Sequence, residues 1–215
     1  MKKLLSIDNP VIRFIIKLFD CMLLSVLWVV FSLPVITMGA SSTALYASVY
    51  HYIRRDEGYL WQTFWTAFKE NFKRSTLSWL PLLGMMLFLI YDLMALRVMM
   101  QAGKPMGRLF GIILALFFVA VVWGVYLAAY CARFQGGVKD MLRFSFYLIM
   151  QHPLRSLAVM VAVVGSGALI MVVPGLLAML PALSFWLSST FVEQVFLLHM
   201  RPEDVQKTKD EESKV

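Results

Sequence analysis

Residues 109–130 contain no Asp, Glu, Lys or Arg. At 1.5 Å per residue a helix of that length is about 33 Å long, enough to cross a hydrocarbon core of roughly 30 Å. Three further apolar stretches come close to it: 18–36, interrupted only by Asp20, 77–100, which carries Asp92 and Arg97, and 154–198, which carries Arg155 and Glu193. Backbone in lipid must satisfy its own hydrogen bonds, so runs of this kind fold as helices. Composition agrees: 60% of residues are hydrophobic and 15% charged, against roughly 45–50% and 25% in soluble domains. The sequence therefore predicts an all-α, polytopic transmembrane bundle of about five to six membrane segments, one pair of them crossing or re-entrant. Residues 1–200 form a single domain, and the charged tail 201–215, which lacks aromatics, is expected to be disordered.

The first span is expected over 18–36, ending at Leu33-Pro34, and uncleaved, since Arg13 and Lys17 do not suit a signal peptide. Ser41 or Ser42 is expected to cap a short helix reaching about Ile53. Residues 60–74 place Trp61, Phe64, Trp65, Phe68 and Phe72 at three- and four-residue steps, with Gln62, Thr66, Lys69, Glu70 and Lys73 opposite. That periodicity predicts an amphipathic helix, lying in the membrane interface or packed on the bundle's cytoplasmic end. Within it, Glu70 and Arg74 are ordered for an i,i+4 pair. A separate span follows over 77–100, a Gly- and Pro-containing turn over 101–108, the uncharged span 109–130, and a mixed amphipathic stretch over 133–151. The 154–198 block is too long for one crossing and is expected to fold as a hairpin broken at Pro174-Gly175.

The formal charge is +7. The aromatic residues lie mostly inside the apolar runs rather than on a basic face, so nucleic-acid binding is not indicated. Basic residues instead orient the chain. Seventeen of the twenty lysines and arginines fall in the N-terminal stretch, 54–74, 133–155 and the tail. By the positive-inside rule these regions and both termini face the cytoplasm. Cys21 and Cys131 are too few and too far from any His cluster for a metal or haem site, and read as packing thiols.

Ionisable groups inside spans are costly and mark function first. Asp92, Arg97 and Glu193 are therefore the candidate intramembrane polar site: either Asp92 and Glu193 line one polar cavity, or Asp92 pairs with a neighbouring helix's hydroxyl or with Arg97 while Glu193 sits at the interface. Trp61, Phe64, Trp65, Phe68 and Phe72 are the candidate partner-contact face. Trp61, Trp65 and Trp79 suit an interfacial belt; Trp28, Trp123 and Trp186 lie deeper and should pack between helices. His51, His152 and His199 show no metal-ligand spacing. No nucleophile–base set, phosphate loop or cofactor motif is present, so the chain reads as non-enzymatic and without cofactor.

The run Ser32-Leu33-Pro34-Val35-Ile36-Thr37-Met38-Gly39-Ala40, then Ala44-Leu45-Tyr46, resembles the YesL-type family of bacterial membrane proteins. So do Arg55-Asp56-Glu57-Gly58-Tyr59, Phe64 and Phe68-Lys69-Glu70-Asn71-Phe72. The resemblance is close over about the first third of the chain. The family often carries Asn in the first span, about where Ser25 stands. Membership implies a small multi-pass protein of Gram-positive bacteria, often encoded beside carbohydrate-uptake and carbohydrate-degradation systems. The function expected from it is an accessory or regulatory role in carbohydrate uptake, through contact with an ABC-type sugar permease or a membrane sensor. The alternative is a small-solute (sugar) permease acting alone or as a homo-oligomer.

Overall fold

The structure, a computed structural model, describes residues 10–55 and 58–199. Among them are seven α-helices and no strand: α1 (Pro10–Ser32), α2 (Met38–Ser48), α3 (Leu60–Gln101), α4 (Phe110–Arg133), α5 (Val138–Gln151), α6 (Pro153–Val172) and α7 (Leu180–His199). The 201–215 tail lies outside the described residues. Among the described residues four helical stretches are long and apolar enough to cross a membrane: Ile15–Ser32, Leu60–Gln101, Pro105–Arg133 and Pro153–Val172. The chain is an all-α bundle of membrane-protein type.

The α1–α2 hairpin is held by polar links that rise along one arm as they descend the other. Lys17 Nζ donates to the Ile53 carbonyl at 2.8 Å, Tyr52 to Asp20 at 3.2 Å, Trp28 Nε1 to Ser42 at 3.1 Å, and Ser32 meets Ser41 at 2.6 Å. The return arm thus follows α1 from Ser32 back to Lys17, about 22 Å of helix. It is buried continuously from Gly39 to Tyr50. Its sequence explains this: Met-Gly-Ala-Ser-Ser-Thr-Ala is nearly all small residues, which let neighbouring backbones come close in an apolar medium. Thr43 and Ser48 return their hydroxyls to the carbonyls of Gly39 and Ala44, each at 2.9 Å, so burial leaves neither unsatisfied. Ser41 and Ser42 are not the cap of this helix: α2 starts at Met38, and both serines sit inside it. Small hydroxyl residues serve caps and tight packing alike, so the sequence pattern does not distinguish the two.

The largest departure from expectation is α3. Residues 60–74 and 77–100 form one helix of 42 residues that contains Pro81, about 63 Å long. The amphipathic period gives way to an apolar one near Leu77, but no Gly, turn residue or cap interrupts the backbone there. Nor do Glu70 and Arg74 pair. Arg74 Nη2 donates instead to Asn71 Oδ1 at 2.5 Å and to the Cys131 carbonyl of α4 at 3.1 Å. Trp79 is no belt residue: it is 6% exposed and packs between Gly39 of α2 and Gly124 of α4.

The 101–108 turn and the 154–198 hairpin fold as the sequence indicates. Gly103 takes φ +70°, a left-handed conformation that favours glycine. Gly107 lies so close to Met100 that a Cβ there would sit 2.7 Å from the methionine Cβ. Pro174–Ala178 forms a 3-10 turn between α6 and α7. Trp28 and Trp123 pack between helices as expected, Trp123 donating to Ser145 of α5 at 3.0 Å.

Candidate functional site

Beyond Ser48, α2 runs on as a π-helical segment, Val49–Arg54. π-turns are rare and concentrate at functional sites, because the widened turn re-aims side chains. Here it presents Tyr50 and Arg54 to α4 and α7. Tyr46, one turn earlier, is fully buried and donates its hydroxyl to Glu193 Oε1 of α7 at 2.7 Å. Glu193 Oε2 is paired with Arg133 Nη1, at the end of α4. The Arg133 guanidinium carbon lies 4.3 Å from the Tyr50 ring centroid, and that of Arg55 lies 4.6 Å from the same ring. Arg54 Nη1 donates to Ser189 of α7 at 3.4 Å. The Phe185 ring closes on Tyr46 edge-on, with centroids 6.5 Å apart.

Glu193 is 5% exposed and Arg55 7%. A carboxylate so deeply buried is tolerable only when paired and hydrogen-bonded, and Arg133 with Tyr46 supplies both. Chemically the cluster is a charge clasp joining α2, α4 and α7, with a hydroxyl-rich surround formed by Ser184, Ser188 and Ser189, all buried. Among the described residues no group of three or more His, Cys, Asp and Glu side chains is placed to hold a metal.

A second polar joint lies at the other end of α7. Ser25 Oγ of α1 accepts from the Ala182 amide at 3.0 Å and donates to the Met179 carbonyl at 3.1 Å. Helix starts leave amides without intrahelical partners. Ser25 supplies one from 157 residues away, an N-cap lent by another helix. An Asn here, as in the YesL-type pattern, offers the same acceptor and donor on one side chain.

The sequence-derived site residues separate. Glu193 belongs to the clasp. Asp92 is half-buried on α3, eighteen residues beyond Arg74, about 27 Å along the helix. Arg74 bonds α4 at Cys131, two residues from Arg133, so Asp92 and Glu193 do not line one cavity. Arg97 is exposed and forms no ion pair with Asp92 among the described residues. The proposed contact face also divides. Phe64 is fully buried and Phe68 8% exposed. Phe31 of α1 covers them, its ring centroid 5.7 Å from Phe64, 5.5 Å from Trp65 and 5.1 Å from Phe68. Trp61 and Phe72 remain exposed, at 53% and 40%. Lys69 Nζ lies 4.8 Å over the Trp65 ring.

Sequence reasoning missed Tyr46, Tyr50, Arg54, Arg133 and Ser189. Arg133 entered only as a vote on orientation. The available signal was Glu193 itself, since an acid within an apolar run needs a cation from another helix.

Residues 21–93 match the model of a family described as "Protein of unknown function, DUF624". The match takes in about half of α1, all of α2 and most of α3, including Ser25, Tyr46, Tyr50 and Arg54 but neither Arg133 nor Glu193. No curated protein and no solved structure matches the chain.

Proposed function

We propose that this chain is a non-enzymatic, multi-pass component of the bacterial cell membrane that serves carbohydrate uptake by contact with a transporter or sensor. The family match is compatible with YesL-type membership, and the carbohydrate setting rests on that resemblance. Seventeen of the twenty basic residues in four regions support cytoplasmic termini. The observation that carries the reading is the closure of the bundle centre. Glu193 is consumed by Arg133 and Tyr46, and α2 is enclosed from Gly39 to Tyr50. A solute path needs polar groups facing an opening, whereas these face one another. A partner can be met instead through Trp61, Phe72 and the lipid-facing sides of α3 and α6.

Two measurements test this. Reconstituted alone in vesicles, the protein should move no labelled mono- or disaccharide. Solubilised from its native membrane, it should co-purify with an ABC-type sugar permease or a membrane sensor. Saturable sugar uptake by the protein alone would replace this reading with the permease.

A further inference from the structure

We infer that α6 and α7 form one hinged unit, docked on the rest of the bundle mainly by two polar latches and able to swing away from it as a body. The packing is uneven. α6 lies chiefly along α7 and buries only Ser156 and Val159. α7 meets α1, α2 and α4 through Ala182, Phe185, Val192, Val195 and Phe196, and α6 itself touches α4, where the buried Ser156 hydroxyl donates to Tyr126 at 3.5 Å. In water such a face would hold the hairpin firmly. In a bilayer it holds far less, because acyl chains solvate apolar side chains about as well as other helices do. Polar links then decide docking. Ser25 grips the first turn of α7 through the Ala182 amide and Met179 carbonyl, and the Glu193 carboxylate grips Arg133 and Tyr46 near the other end. Arg54 on Ser189 adds a third point between them.

The latches differ in character. The Ser25 latch is neutral and is replaceable by water or backbone. The Glu193 latch is charged, so opening it in lipid would strand an ion. It stays shut unless something supplies a new counter-charge, and that makes it the control point. What opening uncovers is the hydroxyl-rich seam between α2 and α7, where Tyr46, Ser188 and Ser189 are all buried in the closed state. Ser188 Oγ has no hydrogen-bond partner there among the described residues, as expected of a surface that finds its partners in a second arrangement.

The test is a pair of spin-label distances in the full chain in lipid nanodiscs, with Cys21→Ser and Cys131→Ser removing the native thiols. Labels at Met94→Cys on α3 and Leu187→Cys on α7, at 66% and 58% exposure, report docking of the hairpin. Labels at Met94→Cys and Ile112→Cys, the latter 60% exposed, report the α3–α4 pair as control. With both latches intact the 94–187 distribution should be a single narrow component. Glu193→Gln should add a longer component to it and leave 94–112 unchanged. Ser25→Ala reads the same distance from the neutral latch if Glu193→Gln fails to fold. An unchanged 94–187 distribution in the variants recovered would overturn the inference, as would loosening of the control pair in step. Loss of folding in both variants overturns it too, because a unit that opens alone leaves α1–α4 intact.

Discussion

Gly39 of α2 lies against Trp79 of α3 with no room for a side chain: a Cβ on the glycine would fall 2.7 Å from the indole Cγ and 3.0 Å from the Ser75 carbonyl. Gly124 of α4 receives the far edge of the same indole, whose ring carbons would stand 2.9 Å from a Cβ there. One tryptophan thus fixes the spacing of three helices, and both glycines are set by its size. Gly39→Ala should lower stability by about 1–3 kcal/mol or more, since backbone rather than a flexible tip must move. Gly84→Ala, in the same long helix with nothing within 4 Å, should be neutral or slightly stabilising. Thermal unfolding in one detergent compares the two, and equal melting temperatures would refute the packing argument.

Removing Glu193 takes the paired carboxylate from the largely buried guanidinium of Arg133, so Glu193→Ala should cost about 3–5 kcal/mol. Replacing both charged partners, Arg133→Met with Glu193→Leu, should recover part of that loss, because an apolar pair of similar volume needs no counter-charge while the Tyr46 hydroxyl still lacks its acceptor. The double variant should nonetheless differ in uniqueness of docking. Denaturation in mixed micelles, read by tryptophan fluorescence, measures the recovery; a double variant no more stable than the single would mean that Glu193 acts through some other group.

Ser25→Ala deletes a cap from α7 without touching that helix. The expected loss is about 1 kcal/mol, the usual worth of an N-cap. Ser25→Asn should retain stability, since the amide can reproduce both bonds. Asn weaker than Ala would show that the site tolerates only a hydroxyl.

Phe64→Ala opens a cavity under Phe31 and should cost about 3–5 kcal/mol. Trp61→Ala, at 53% exposure, should change stability by less than about 0.5 kcal/mol. If the exposed end of the aromatic row meets a partner, Trp61→Ala should reduce co-purification while leaving the melting temperature in place. Undiminished recovery of the partner would remove Trp61 from the contact.

Asp92→Asn should leave both stability and docking of α7 unaltered, since Asp92 stands about 27 Å along α3 from the residue that bonds α4 beside the clasp. Coupling between Asp92→Asn and Glu193→Gln in a double-mutant cycle would contradict that separation.

What the sequence disclosed follows the physics of each signal. The uncharged run 109–130 and the Pro174-Gly175 break are local, and both appear in the structure as α4 and the α6–α7 turn. The continuity of α3 was hidden because a change of hydrophobic period looks like a change of helix, although amphipathicity describes surroundings and not backbone. The clasp was half visible. Glu193 announced itself by its charge, but Arg133 lies sixty residues away, and no periodicity pairs residues on different helices. The burial of Phe64 and Phe68 was likewise set by Phe31, on a helix whose register with α3 the sequence does not encode locally. Trp79 was misplaced for the same reason: Gly39 and Gly124 make its slot, and each is unremarkable alone.

The unbroken α3 gives the molecule a mechanical property. A stiff element of about 63 Å is roughly twice the thickness of the hydrocarbon core. The Trp61 end and the Gln101 end of this rod therefore move together, with Pro81 the one place inside it where a backbone bond is missing. A neighbour that tilts the aromatic end by a few degrees shifts the opposite end sideways in proportion to that length.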